Sequence, residues 1–145
     1  MFLRGPKLFR AKNDPEYTSS MFNEIILEHF RNPHNAGDLL DASATADVTN
    51  PVCGDMLRLS VRVAAGRIEA ARFKTQGCVA AIAASSVLTD LLVGAPLDDA
   101  RKITPGKISE ALGSLPPATF HAAQLCCDAL VAVLRKLEDN RSQKP

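Results

Sequence analysis

The chain has 145 residues, 46% of them apolar, and a formal net charge of +1. That length and composition suit one domain with a substantial core. The near-neutral charge, the absence of Trp and the single Tyr supply neither the field nor the stacking surface for nucleic acid. No uninterrupted run reaches the 18 apolar residues of a membrane helix, so no membrane partner is expected.

The first twenty residues are broken by Arg4, Pro6, Lys7, Arg10 and Lys12, which leaves no secretory apolar segment. A cytoplasmic, reducing location follows. The four cysteines then read as metal ligands or reactive thiols rather than as two disulfides. The first twelve residues are basic and acid-free, so a mitochondrial matrix location is the alternative if they act as a presequence, although Asp14 and Glu16 follow closely. Residues 1–20 lack apolar periodicity and are expected to be a mobile tail ahead of a domain over 21–140, with a short tail over 141–145.

A first helix is predicted from about Ser20 to Phe30, capped by Ser20, with Phe22, Ile25, Ile26 and His29 on one stripe. Asn32-Pro33-His34-Asn35-Ala36-Gly37 ends it. Leu57, Leu59, Val61 and Val63 alternate with Met56, Arg58, Ser60 and Arg62, the period of a half-buried strand. Ala65-Gly66 turns the chain, Arg67 to Thr75 returns as a second strand, and Thr45 to Thr49 adds a third. A helix then opens at Cys78 and runs to about Val93, stopped by Gly94 and Pro96. A short helix over Pro96 to Lys102 follows. Thr104-Pro105 starts the next helix and Gly113 closes it. Leu115-Pro116-Pro117 begins a last helix reaching about Asp139. Strands first and helices after predict an α+β domain, a small antiparallel sheet of about three strands packed against several helices on one face.

Two cysteine motifs carry the chemistry. Cys53 stands in Asn50-Pro51-Val52-Cys53-Gly54-Asp55 at the mouth of the first long strand. Pro51 fixes the local backbone, and Gly54 allows close approach to the main chain. Asp55 follows two residues after the thiol. The same segment also reads as a plain turn before a strand. Cys78 follows Gly77 at a helix start, where unpaired amides and the helix dipole favour a thiolate. The small-residue run Val79 to Ser86 lets that helix pack closely, and a small buried cysteine is the alternative reading. His121 opens the last helix and is a ligand candidate beside the two thiols, or a core or surface histidine. Cysteine, histidine and carboxylate together suit zinc, ferrous iron or a labile cluster. Cys126 shares a stripe with Ala122, Leu130, Val133, Leu134 and Leu137 and is most simply a small core residue, with recruitment as a further ligand the alternative. Cys127, at the edge of that stripe, is expected to be inert. His29 and His34 have no partner at ligand spacing and receive no role.

The order of these pieces resembles the IscU/NifU-type family of iron–sulfur cluster assembly scaffolds. The resemblance rests on the His29 to Gly37 segment, on Cys53-Gly54-Asp55, on Phe73 to Cys78 with Ala81 to Ser86, and on Leu115-Pro116-Pro117 with His121 and Asp128-Ala129. It spans most of the chain from Met21 on. It implies a protein on which a transient [2Fe–2S] cluster is built, with sulfur from a cysteine desulfurase, and passed to recipient apoproteins; it implies a scaffold rather than an enzyme. Cys53 and Cys78 would be ligands, Asp55 a weak oxygen ligand that keeps the site labile, and His121 their neighbour. The chain departs from the family pattern at three places. Ala122 stands where the family has its third cysteine, Val79 where glycine is frequent, and Thr119 where the family has a lysine tied to its dedicated chaperone, which puts that partner in question. Two other readings stay open: a divergent relative that binds zinc, iron or assembly partners without building a cluster, and a thiol-based sulfurtransferase, for which no cysteine has an adjacent base in sequence.

Overall fold

The computed structural model describes residues 22–51 and 54–143, with side chains as far as 140. The element order is α1 (Glu24–Arg31), β1 (Ala44–Thr49), β2 (Met56–Ala64), β3 (Arg67–Gln76), α2 (Val79–Leu92), α3 (Leu97–Ala100), α4 (Pro105–Ala111), a 3-10 turn (Pro117–Thr119) and α5 (His121–Gln143). The predicted tail over 1–20 lies outside the described residues.

The strands form one antiparallel sheet in the order β1-β2-β3. Ala65 and Gly66, both at positive φ, make the tight turn between β2 and β3, the backbone that lets a two-residue hairpin follow the sheet twist. Leu57, Leu59 and Val61 on β2 are buried while Met56 and Arg58 are not, the alternation expected from the sequence. On β3 the buried residues are Ile68, Ala71 and Phe73. The three-residue step from 68 to 71 reflects a bulge: Val63 pairs with Ile68 and Arg62 with Ala70, so Glu69 is the extra residue. Without that insertion, one half of β3 would present its apolar side chains to water.

The opposite sheet face carries ion pairs, Arg58 with Asp47 at 2.8 Å and Arg62 with Glu69 at 2.7 Å. Exposed pairs of this kind keep that face soluble and add little stability. The outer edge of β3 is covered by the loop after α1: Gly37 N–H donates to Phe73 O at 2.8 Å and Phe73 N–H to Asn35 O at 3.0 Å. The loop thereby caps a row of ladder groups that would otherwise be open to another chain.

α2 packs on β3 and α1, and α5 packs on β1, β2 and α2. α2 is buried along most of its length, through Ala80, Ala81, Ala83, Ala84, Leu88 and Leu92. Its small side chains let the neighbouring backbones approach closely. Pro117–Asn140 is long and apolar enough to cross a membrane by length and composition alone, yet half of its most apolar stretch is buried against the rest of the fold. Ala122, Ala123, Cys126, Ala129, Leu130 and Val133 form that buried side, which is how a core helix behaves.

Three expected boundaries shift. α1 is capped by Asn23, whose side chain accepts from Ile26 N–H; Ser20 lies outside the described residues. The buried residues of α1 are Ile26 and Leu27, and Ile25 is 47% exposed. Pro116 and Pro117 feed a single 3-10 turn, so that α5 begins at His121 and runs on to Gln143.

Asn23 also donates its side-chain amide to Leu112 O at 2.9 Å, which ties the start of α1 to the end of α4. Asn23→Ala removes both bonds and is expected to cost about 1–2 kcal/mol. Thermal unfolding followed by circular dichroism should show a Tm several degrees lower. An unchanged Tm would mean that water replaces both partners without loss.

Candidate metal centre

The sheet register sets the site. Met56 at the start of β2 pairs with Gln76 at the end of β3. Asp55 and Gly77, the next residues outward on the two strands, are therefore side by side. A Cβ placed on Gly77 would lie 2.8 Å from Asp55 Cγ and Oδ1 and 3.1 Å from Ala81 Cβ. Glycine at this position is what admits the buried Asp55 carboxylate against the start of α2. The loop leading to Asp55 is closed on itself: Asn50 N–H donates to Asp55 O at 2.8 Å and Gly54 N–H to Asn50 O at 2.7 Å. Gly54 adopts φ +79 with open space around its Cα, so its glycine serves the backbone turn rather than a packing contact.

Cys78 caps α2 with extended backbone angles and no side-chain capping bond, so its thiol is free to point at Asp55. The Sγ donates to Asp55 Oδ2 across 3.7 Å. From α5, His121 Nε2 stands 3.7 Å from the same oxygen. One ligand atom from each of the three residues lies within 4.8 Å of the other two. Around a tetrahedral ion with metal–ligand bonds of about 2.0–2.3 Å, neighbouring ligand atoms stand roughly 3.3–3.8 Å apart. The trio is thus already near the separation that a shared ion imposes. Asp55 is 7% exposed, whereas Cys78 is exposed as a residue. The buried carboxylate forms the floor of the site and the thiol faces its entrance.

The metal-free Cys78 thiol departs from the sequence expectation. Burial of the sulfur pushes its pKa up; the amides of Ala81 and Ala80 pull the other way, and the Asp55 charge adds to the rise. The helix start acts in the expected direction but is outweighed, because burial and a nearby anion both oppose a second negative charge. A bound cation inverts that balance, since a coordinated thiol is deprotonated. Iodoacetamide labelling of Cys78 in the metal-free protein, read by peptide mass mapping at mildly alkaline pH, is therefore expected to be slower than that of a free cysteine. Asp55→Asn should speed it up. Equal rates in the two proteins would remove Asp55 from this account.

Cys53 lies outside the described residues. Cys126 is not brought to the trio; it lies in the core, the simpler of the two readings that its stripe allows. It sits on the core side of α5, fully buried, with its Sγ 3.9 Å from Ser85 Oγ. Burial pushes its pKa up to about 12. Cys127, also buried, is pushed up to about 11 by the same cause, and its thiol faces Ile103 O at 3.9 Å. Ala122, next to His121, is fully buried.

The structure also gives His29 and His34 partners that the sequence does not reveal. His29 Nδ1 lies 2.7 Å from Ser86 Oγ, and His34 Nδ1 lies 2.6 Å from Asp90 Oδ2. Both partners are more than fifty residues away on α2, beyond the reach of any local spacing rule.

A three-stranded sheet backed by helices, with a thiol, a carboxylate and an imidazole converging at one end, makes an α+β domain with a candidate metal site. The family model for the NifU-like N terminal domain matches residues 21–144, and the chain belongs to that family. It is 43% identical over 110 residues to "Iron-sulfur cluster assembly scaffold protein IscU 1" of Archaeoglobus fulgidus, a match covering 76% of this chain and 72% of the relative. It is 37% identical over 148 residues to "Iron sulfur cluster assembly protein 2, mitochondrial" of Saccharomyces cerevisiae, covering 97% and 94%. Among solved structures, the N-terminal NifU-like protein from Brucella abortus superposes with a TM-score of 0.68 at 21% identity, over 84% of this chain and 97% of that one, a likeness of fold.

Proposed function

We propose that this chain is an iron–sulfur cluster assembly scaffold: iron and sulfide are its cargo, combined into a transient [2Fe–2S] cluster and then released to recipient apoproteins. The observation that carries this reading is the meeting of Cys78, Asp55 and His121 around one carboxylate oxygen at 3.7 Å, in a family whose relatives bear scaffold names. Cys53, two residues before Asp55, supplies a second thiolate. Two soft thiolates hold iron and accept bridging sulfide, while the hard carboxylate and the imidazole leave faces of the cluster weakly held. That mixture favours transfer over storage.

Sulfur comes from a cysteine desulfurase as persulfide and must be reduced to sulfide, with electrons from ferrous iron and an external reductant. Burial and the Asp55 charge both oppose the Cys78 thiolate, and a sulfurtransferase needs that thiolate activated. A scaffold suits this arrangement better than a sulfurtransferase does. The same site works in the cytoplasm or, if residues 1–20 act as a presequence, in the mitochondrial matrix. Thr119 in place of the family's lysine weakens the case for the dedicated chaperone as a partner.

Anaerobic reconstitution with ferrous iron, cysteine, a cysteine desulfurase and a thiol reductant tests the reading. Visible absorbance bands with matching iron and sulfide contents are expected. A protein that binds zinc or iron yet stays colourless with sulfide is instead a metal carrier, the reading favoured by Ala122 at the third cysteine position. Ala122→Cys separates the two. Under the scaffold reading it lengthens the lifetime of a cluster that already forms, whereas under the carrier reading the wild type forms none and the variant restores one.

A further inference from the structure

The loop after α1 and the distal half of α2 hold a second constellation that the first centre does not use. His29, His34 and Asp90 each offer a ligand atom within 4.8 Å of the other two. The two imidazole rings face each other with centroids 4.7 Å apart at 51°. Cys78 and Asp90 are twelve residues apart on one helix, or roughly 18 Å along its axis, so this group is separate from the first.

The surrounding bonds fix each member in place. Ser86 Oγ accepts from His34 N–H at 2.8 Å and lies 2.7 Å from His29 Nδ1. Thr89 Oγ1 donates to His34 O at 3.3 Å. Asn35, at φ +60, directs its side-chain amide to Thr89 Oγ1 at 3.1 Å and to Asp90 Oδ1 at 3.4 Å, leaving Oδ2 towards His34. Outer partners of this kind orient metal-binding histidines and carboxylates. A single ion pair fastening the loop would account for His34 and Asp90. It does not account for a second imidazole held against the first, where two protonated rings would repel. The side chains of His34 and Asp90 are 47% and 38% exposed, so an ion has a way in.

We propose that His29, His34 and Asp90 form a second metal centre that takes one divalent transition-metal ion of the zinc class, with water in its remaining positions. Two imidazoles and one carboxylate are the donor set that zinc and its first-row neighbours prefer over calcium or magnesium. The set contains no sulfur, which sets it chemically apart from the thiol-bearing first centre. The inference does not depend on what the first centre carries.

Zinc binding to the full chain, measured by equilibrium dialysis with metal analysis, tests it. Cys78→Ser is expected to retain one zinc equivalent. Adding His34→Gln or Asp90→Asn to Cys78→Ser should weaken that equivalent by at least about tenfold, with circular dichroism confirming the fold of each variant. On the unaltered protein, zinc should shift the side-chain nitrogen resonances of His29 and His34. The proposal is overturned if Cys78→Ser binds no zinc, if both added substitutions leave binding unchanged, or if only the His121 resonances move.

Discussion

Cys78→Ser is expected to abolish cluster formation while leaving the fold intact. Cys78 is the one thiol among the described residues that reaches the centre, since Cys126 and Cys127 face the core. A serine hydroxyl fits the same space but does not ionise near neutral pH and is a poor partner for iron and sulfide. Iron and sulfide content after reconstitution should fall on the order of 100-fold or more, beyond the loss seen when only an outer partner of a ligand is removed. The exposed position makes the stability change small, within about 0.5 kcal/mol. The far-ultraviolet circular dichroism and the Tm of the metal-free protein should therefore match the wild type. A variant that still forms a cluster at wild-type yield would place the cargo elsewhere.

Gly77→Ala is the second large effect, and it acts without removing any ligand. The backbone of Gly77 is not at positive φ, so alanine is sterically acceptable to the main chain itself. The cost comes from the added methyl, 2.8 Å from Asp55 Cγ and Oδ1 with Ala81 Cβ at 3.1 Å on its other side. Asp55 has little room to retreat, because it is buried just before β2 begins and its carbonyl is bonded to Asn50 N–H. Overpacking of this type costs about 1–3 kcal/mol. The carboxylate is expected to turn away from Cys78 and His121, with at least about tenfold weaker zinc or iron binding. Gly54→Ala is the control: its Cβ meets nothing within 4 Å, so it should cost only the backbone strain of positive φ, about 1–2 kcal/mol. Equal metal affinity in Gly77→Ala and wild type would show that Asp55 does not need its present position.

Much of this was legible in the sequence. The alternation from Met56 to Val63 and the Ala65-Gly66 turn set the hairpin, and the hairpin register is what places Asp55 beside Gly77. Of the candidates read from the sequence, Asp55, Cys78 and His121 offer ligand atoms within 4.8 Å of one another, while Cys53 lies outside the described residues. What escaped were features decided by distant packing. The cap of α1 is Asn23 rather than the predicted Ser20, and Asn23 also bonds α4, which no local rule anticipates. The bulge at Glu69 leaves the strand pattern almost unchanged while reversing which residues face the core. The protonation of Cys78 depends on Asp55, twenty-three residues earlier, and on burial, so a helix start alone gave the wrong direction. His34 and Asp90 are joined only by the docking of the loop onto α2.

The burial of Cys126 and Cys127 also governs oxidative chemistry. With pKa values pushed up to about 12 and 11, their thiolate fractions near neutral pH are on the order of one part in 10^4 to 10^5. Thiolate content and access control both peroxide oxidation and exchange with persulfides. A protein that handles reactive sulfur next to its own core cysteines risks trapping that sulfur as an unproductive disulfide or polysulfide. Here the adjacent pair in α5 is electrically silenced and sterically shut, so sulfur delivered to the surface meets Cys78 before it meets either. Under mild peroxide, mass mapping should find Cys78 oxidised while Cys126 and Cys127 remain thiols until the chain unfolds.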